Sequence, residues 1–152
     1  DQNEWEIASG VPHIPFEALD ADYEIAKEAY LEYFRKMHQL FPKCKKMLMA
    51  VRNQIASSHH TLSGLLYDAV EDQLYTTRIY DIEPIVDPMG VGDAFIAAYI
   101  HAHQKWGDKN QYCLDFSLSA SAIKNTVPGD QNLVTEEEII NNMTSSGGRI
   151  QR

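Results

Sequence analysis

An aspartate that follows two closely spaced glycines is the place in this chain where residue type and spacing point to chemistry. The run Ile85-Val86-Asp87-Pro88-Met89-Gly90-Val91-Gly92-Asp93-Ala94-Phe95 reads as a strand, a glycine turn and the start of a helix in immediate succession. Gly90 and Gly92 are expected to take positive φ and to let a ligand approach the main chain closely. A helix that begins there directs its unpaired N–H groups out of the turn. Together with the macrodipole they make an anion site, built from the N–H groups of Gly90, Val91, Gly92 and Asp93. Asp93 would repel a phosphate if binding were its whole task, so its carboxylate reads better as a general base acting on a nucleophile. The plainer reading, an aspartate capping a helix after a glycine turn, fits Gly-x-Gly-Asp alone equally well.

The bulk properties narrow the partners. With 152 residues and 44% hydrophobic content the chain can bury a sizeable core as one domain. Thirteen Lys and Arg against 22 Asp and Glu give a net charge of -9, which argues against nucleic acid or an anionic membrane as the main partner. An anion site must therefore be local. No apolar run approaches the roughly 20 residues of a membrane span, and the start of the chain lacks signal-peptide character, so a cytoplasmic location is expected. Cys44 and Cys113 are far apart in sequence and read as buried free thiols.

Elements that could position the turn follow from periodicity. From Asp22, apolar residues Ile25, Ala29, Tyr30, Tyr33, Phe34, Met37 and Phe41 recur at three- and four-residue steps, predicting a core-packing helix that Pro42 ends. Gly10 to Asp20, with Pro12 and Pro15, reads as a loop. Lys46 to Val51 suits a buried strand, and His59–Tyr67 and Leu74–Ile82 suit a hairpin across a polar connection. Tyr112 to Asn125 resumes helical spacing with many small residues, and Thr135-Glu136-Glu137-Glu138 is a capping box for a last helix. His59-His60 and the His101/His103 pair read as surface histidines rather than metal ligands, because neither spacing places both rings on one face. The segment 144–152 reads as a polar tail.

Asp87 to Phe95 resembles the signature of the ribokinase-like carbohydrate kinases, the phosphofructokinase B family, with Pro88 in place of its usual Thr and Val91 in place of its usual Ala. Asn3-Glu4-Trp5-Glu6 is similar to the family's Asn-x-x-Glu motif, in the right order ahead of the turn. The Arg52–Gly64 stretch and Pro128-Gly129-Asp130 look like segments of 2-keto-3-deoxygluconate kinases, although Val51-Arg52-Asn53 departs from the family's Thr-x-Gly. The resemblance implies a layered α/β/α sheet whose nucleotide-binding part is residues 1–143. It also implies ATP and Mg2+ as cofactors, with Asn3 and Glu6 in the phosphate and magnesium network and no direct protein ligand to the metal. Asp93 becomes the catalytic base, Gly90, Val91 and Gly92 the anion hole for ATP phosphate, Asp87 part of a monovalent-cation loop and Arg52 a nucleotide-adjacent residue.

The function expected is ATP-dependent phosphorylation of a sugar or sugar-acid hydroxyl, with 2-keto-3-deoxygluconate as the substrate. The chain starts without Met, and the family's sugar-binding half has no counterpart ahead of Asn3. A carboxyl-terminal fragment, inactive alone, is therefore expected. A noncatalytic nucleotide- or phosphate-binding domain is the alternative, and self-association into a homo-oligomer through exposed apolar surface is a third.

Overall fold

The computed structural model describes residues 2–15 and 24–145. The residues between, and those beyond 145, lie outside the described residues. These include Asp22, much of the expected Gly10–Asp20 loop and nearly all of the expected tail.

A sheet lies at the centre. Strands β1 (Lys46–Ala56) and β2 (His59–Asp68) form an antiparallel hairpin in which Ala50 faces Gly64 and Lys46 faces Asp68. The expected strand at Lys46–Val51 thus continues to Ala56, and the Arg52–Gly64 stretch comprises the end of β1, the turn at Ser57-Ser58 and the start of β2. β2 also pairs antiparallel with β3 (Gln73–Thr76) and with β4 (Tyr80–Ile82). The single strand expected at Leu74–Ile82 is therefore two. Thr77 explains the break: its Oγ1 accepts the N–H of Gly64 at 2.8 Å while its own N–H donates to the Gly64 carbonyl at 3.0 Å. A side chain here replaces one rung of the ladder.

Alternation along the strands creates two apolar faces. On one face Met47, Met49, Val51, Leu65 and Tyr67 pack with Tyr30, Tyr33, Phe34 and Met37 of helix α2 (Lys27–Leu40). Helix α1 (Gln2–Ser9) joins this side through Trp5, whose ring stacks 6.4 Å from Tyr33 and meets Phe34 edge-on at 6.0 Å. The other face, with Leu62 and Leu66, packs against helices α3 (Val91–Trp106), α4 (Asn110–Lys124) and α5 (Glu136–Thr144). The arrangement is a layered α/β/α sheet, as expected, and every strand pairing in it is antiparallel.

α4 is the helix on which that second layer is assembled. Its serines face its neighbours: Ser117 donates to the Phe95 carbonyl, Ser121 to that of Val91 at 3.0 Å, and Ser119 to that of Ile139 at 2.9 Å. Small hydroxyl side chains let α3 and α5 approach closely while satisfying each buried donor. Gly64 does the same beneath, where an added Cβ would lie 3.3 Å from Leu114 Cδ1. α5 begins with the expected capping box, Thr135 and Glu138 exchanging bonds. It includes Thr144, so the helix continues one residue past the expected start of the tail.

Candidate active site

The glycine turn does begin a helix. Gly90 is the N-cap of α3, in the left-handed region at φ 73°, and its carbonyl accepts the first intrahelical bond from Ala94 at 2.9 Å. The N–H groups of residues 90–93 precede that first donor and lie outside the helical ladder. Gly92 departs from expectation. It sits within the first turn of α3 without positive φ, and a Cβ built on it would meet nothing within 4 Å. One glycine makes the turn, and the other leaves open space above the helix end.

No strand leads into the turn. The expected strand at Ile85–Asp87 is irregular, because its backbone donors go elsewhere: Val86 and Asp87 both donate to the Asn125 carbonyl, at 2.8 and 3.2 Å. Asp87 then braces the loop. One carboxylate oxygen accepts from Met89 N–H and the other from Gly129 N–H, each at 2.9 Å. Those two bonds, Met89 first, hold its carboxyl below the ordinary range.

Two hollows flank the start of α3. A cavity of about 490 Å³ is lined by Asn3, His13, Arg52, Pro88, Val91, Gly92 and Ser121, with Ala50 and Leu62 among its apolar walls. A second, of about 420 Å³, is lined by Gly90, Asp93, Ala97, His101, Asp130 and Glu136, over an apolar floor that includes Phe116. The first brings together Asn3, Arg52 and two residues of the anion turn, from segments up to 89 positions apart in the chain. Asp93, the third residue of α3, is exposed and opens on the second. Ser121, on the small-residue face of α4, reaches the first cavity, while His13 comes from a stretch in which the sequence signalled only a proline-containing loop.

Asn3 and Glu6 lie three residues apart on α1 and so share a face. Only Asn3 lines the cavity. Glu6 is turned to His13, whose backbone N–H donates to Glu6 Oε2 at 3.2 Å and whose ring Nδ1 meets the same oxygen. The ring bond is the main cause that lowers the Glu6 pKa. Among the described residues no three acidic, His or Cys side chains cluster as a metal site. The oxygen donors of Asn3 and Glu6 fit magnesium held through water.

The histidines divide differently from expectation. His101 pairs with Glu136 at 2.8 Å, His59 with Asp81, and the His103 ring stacks on Tyr99. His60 is no surface residue: it is 4% exposed, and neither ring nitrogen has a partner. Burial, followed by the charges of Arg52 and His59, lowers its pKa. Both thiols are free, but Cys44 is exposed and only Cys113 is buried. Among the described residues no helix is long and apolar enough to cross a membrane.

Neither family models nor curated proteins give a match to the chain. Solved structures do. A 2-dehydro-3-deoxygluconokinase from Thermotoga maritima is 26% identical with a TM-score of 0.79, over 95% of this chain and 40% of that one. A PfkB family carbohydrate kinase from Listeria grayi is 27% identical with a TM-score of 0.70, over 86% of this chain and 40% of that one. A putative 2-keto-3-deoxygluconate kinase from Enterococcus faecalis, at 19% identity and a TM-score of 0.70 over 93% of this chain and 38% of that one, speaks for the fold alone. Layered sheet and glycine turn are features of a chain that is similar in structure to PfkB-family carbohydrate kinases, and it spans 40% of the length of the first two that it matches.

Proposed function

We propose that this chain is the nucleotide-binding and base-carrying part of a kinase that transfers phosphate from ATP to a hydroxyl of a sugar or sugar acid, with 2-keto-3-deoxygluconate as the substrate. The observation that carries the reading is the start of α3, where Val91 and Gly92 face the same cavity as Asn3 and Arg52. Phosphoryl transfer asks for positioning and charge stabilisation more than covalent chemistry. The N–H groups of residues 90–93 hold the charge that develops on the transferred phosphoryl, and Arg52 faces the remaining phosphates. Asp93 accepts the proton of the substrate's primary hydroxyl as that oxygen attacks the γ-phosphorus and the bond from the γ-phosphorus to the β–γ bridging oxygen breaks, releasing ADP. Magnesium would neutralise phosphate charge when bound, and Asn3 and Glu6 would hold it through water. Asp87 shapes the loop in which backbone carbonyls could take a monovalent cation, its own carboxylate oxygens already accepting N–H bonds. The likeness of the Thermotoga maritima kinase supports the sugar-acid substrate. The net charge of -9 speaks against a nucleic-acid partner, and a cytoplasmic location suits a consumer of ATP.

The test is Asp93→Asn in the complete kinase. Loss of a general base is expected to lower kcat by about 10² to 10⁴-fold while ATP affinity holds. Full turnover by the variant sinks the assignment. Asp93 is exposed on an open hollow, so the chain alone is expected to show no substrate-dependent ADP release with 2-keto-3-deoxygluconate, ribose or fructose. A binding-only role is the second reading, favoured by the 40% span. Nucleotide binding without turnover in the complete protein would select it.

A further inference from the structure

We propose that His13 is a positioning residue for Glu6, fixing the carboxylate that the Asn3–Glu6 helix offers to a magnesium-bound nucleotide. The inference rests on the nucleotide reading of the 490 Å³ cavity. The chain is built to bring these two residues together. Gly10, at φ 72°, turns the chain back at the end of α1, its N–H donating to the Glu6 carbonyl at 2.8 Å. Ser9 Oγ accepts from Val11 N–H at 3.1 Å, and Pro12 fixes φ just before His13. Seven residues after Glu6, both donors of His13 converge on one oxygen, Oε2.

A glutamate at the end of a short surface helix has three free side-chain torsions, and ordering it costs entropy when a ligand arrives. His13 removes that freedom in advance. With Oε2 committed to the imidazole and the amide, Oε1 is the oxygen left to address a metal-bound water. Groups that orient a metal's ligands in this way typically change metal affinity by about 10- to 100-fold when they are mutated. His13 also lines the cavity beside Asn3.

The experiment is calorimetric titration of the 152-residue chain with ATP, in magnesium and in a chelator, and its readout is the gain in affinity that magnesium gives. His13→Ala is expected to reduce that gain about 10-fold. His13→Asn, whose amide can donate from near the position of Nδ1, should keep most of it. Glu6→Gln should lose as much as His13→Ala, and the double variant no more than either. An undiminished gain in His13→Ala beside a loss in Glu6→Gln overturns the positioning role alone. A fall in magnesium-free affinity equal to the fall in magnesium overturns it too, since His13 would then merely support the loop. A wild-type chain that shows no ATP binding in either condition overturns the inference together with the nucleotide reading.

Discussion

A β-carbon placed on Gly90 would lie 2.4 Å from the carbonyl oxygen of Asp130. The turn before α3 and the loop after α4 are therefore interlocked, backbone against backbone, and the brace from Asp87 to Gly129 joins them again one step away. Gly90→Ala meets both a left-handed φ and a clash that no side-chain rotation relieves. It should destabilise the chain by roughly 2–5 kcal/mol in urea titration. Gly92→Ala should keep or raise stability, by up to about 1 kcal/mol, because alanine is the better helix former and its methyl enters open space. That methyl stands where an anion must approach, so ATP affinity should fall. Equal stability losses at the two positions would show that the division of labour between the glycines is wrong.

His60 should make stability pH-dependent in a definite direction. Its folded pKa is lowered, so the native state binds a proton less readily than the unfolded chain, whose histidine titrates near 6.5. Above that pH neither state is protonated and there is no penalty. As pH falls through about 6.5 the unfolded chain gains a proton that the native chain refuses, and stability drops with a slope of at most about 1.4 kcal/mol per pH unit, until the lowered folded pKa is reached. His60→Leu should flatten this window. It should also be stabilising by about 1 kcal/mol at pH 8, because it removes buried nitrogens that lack partners. A steeper slope in the leucine variant would contradict the assignment.

A different window belongs to Asp72, which lies at the β2–β3 turn with φ 52°. Its carboxylate takes a two-pronged contact from Arg35 on α2, at 2.9 and 2.6 Å, and a third bond from Tyr67 Oη at 2.9 Å. The Arg35 bond, then that of Tyr67, holds its pKa down to about 2. With a depressed folded value, the contribution is present above the unfolded value of about 3.9 and is lost as pH falls towards 2. Asn tolerates positive φ, so Asp72→Asn isolates the charge. The variant should lose less stability than the wild type between pH 5 and 2.5, by urea midpoint; a parallel decline in both would show that the pair contributes nothing to acid sensitivity.

What the sequence made legible was what is decided locally. The helix start at Gly90, the capping box of Thr135 and Glu138 and the close-packed serines of α4 each follow from a few neighbouring residues, and each is in place. Features set by distant partners were not legible. The split between β3 and β4 depends on Thr77 meeting Gly64 across the sheet, and the irregular path of Ile85 to Asp87 on a carbonyl at Asn125. His60 looked like half of a surface pair because its burial comes from layers folded over β2. His13 carried no signal beyond two flanking prolines, since its partner precedes a turn that only the left-handed Gly10 completes.

The seating of α1 on Tyr33 and Phe34 through Trp5 gives the chain an optical reporter. Indole emission responds to the rings and the water around it, and Trp5 lies between the two motif residues, Asn3 and Glu6, on the helix that carries both. Any nucleotide-driven movement of that helix must slide the indole across its aromatic seat. With Trp106 replaced by Phe to silence the other emitter, the intensity and wavelength of this single fluorophore would show, with no label attached, whether the proposed nucleotide moves that helix.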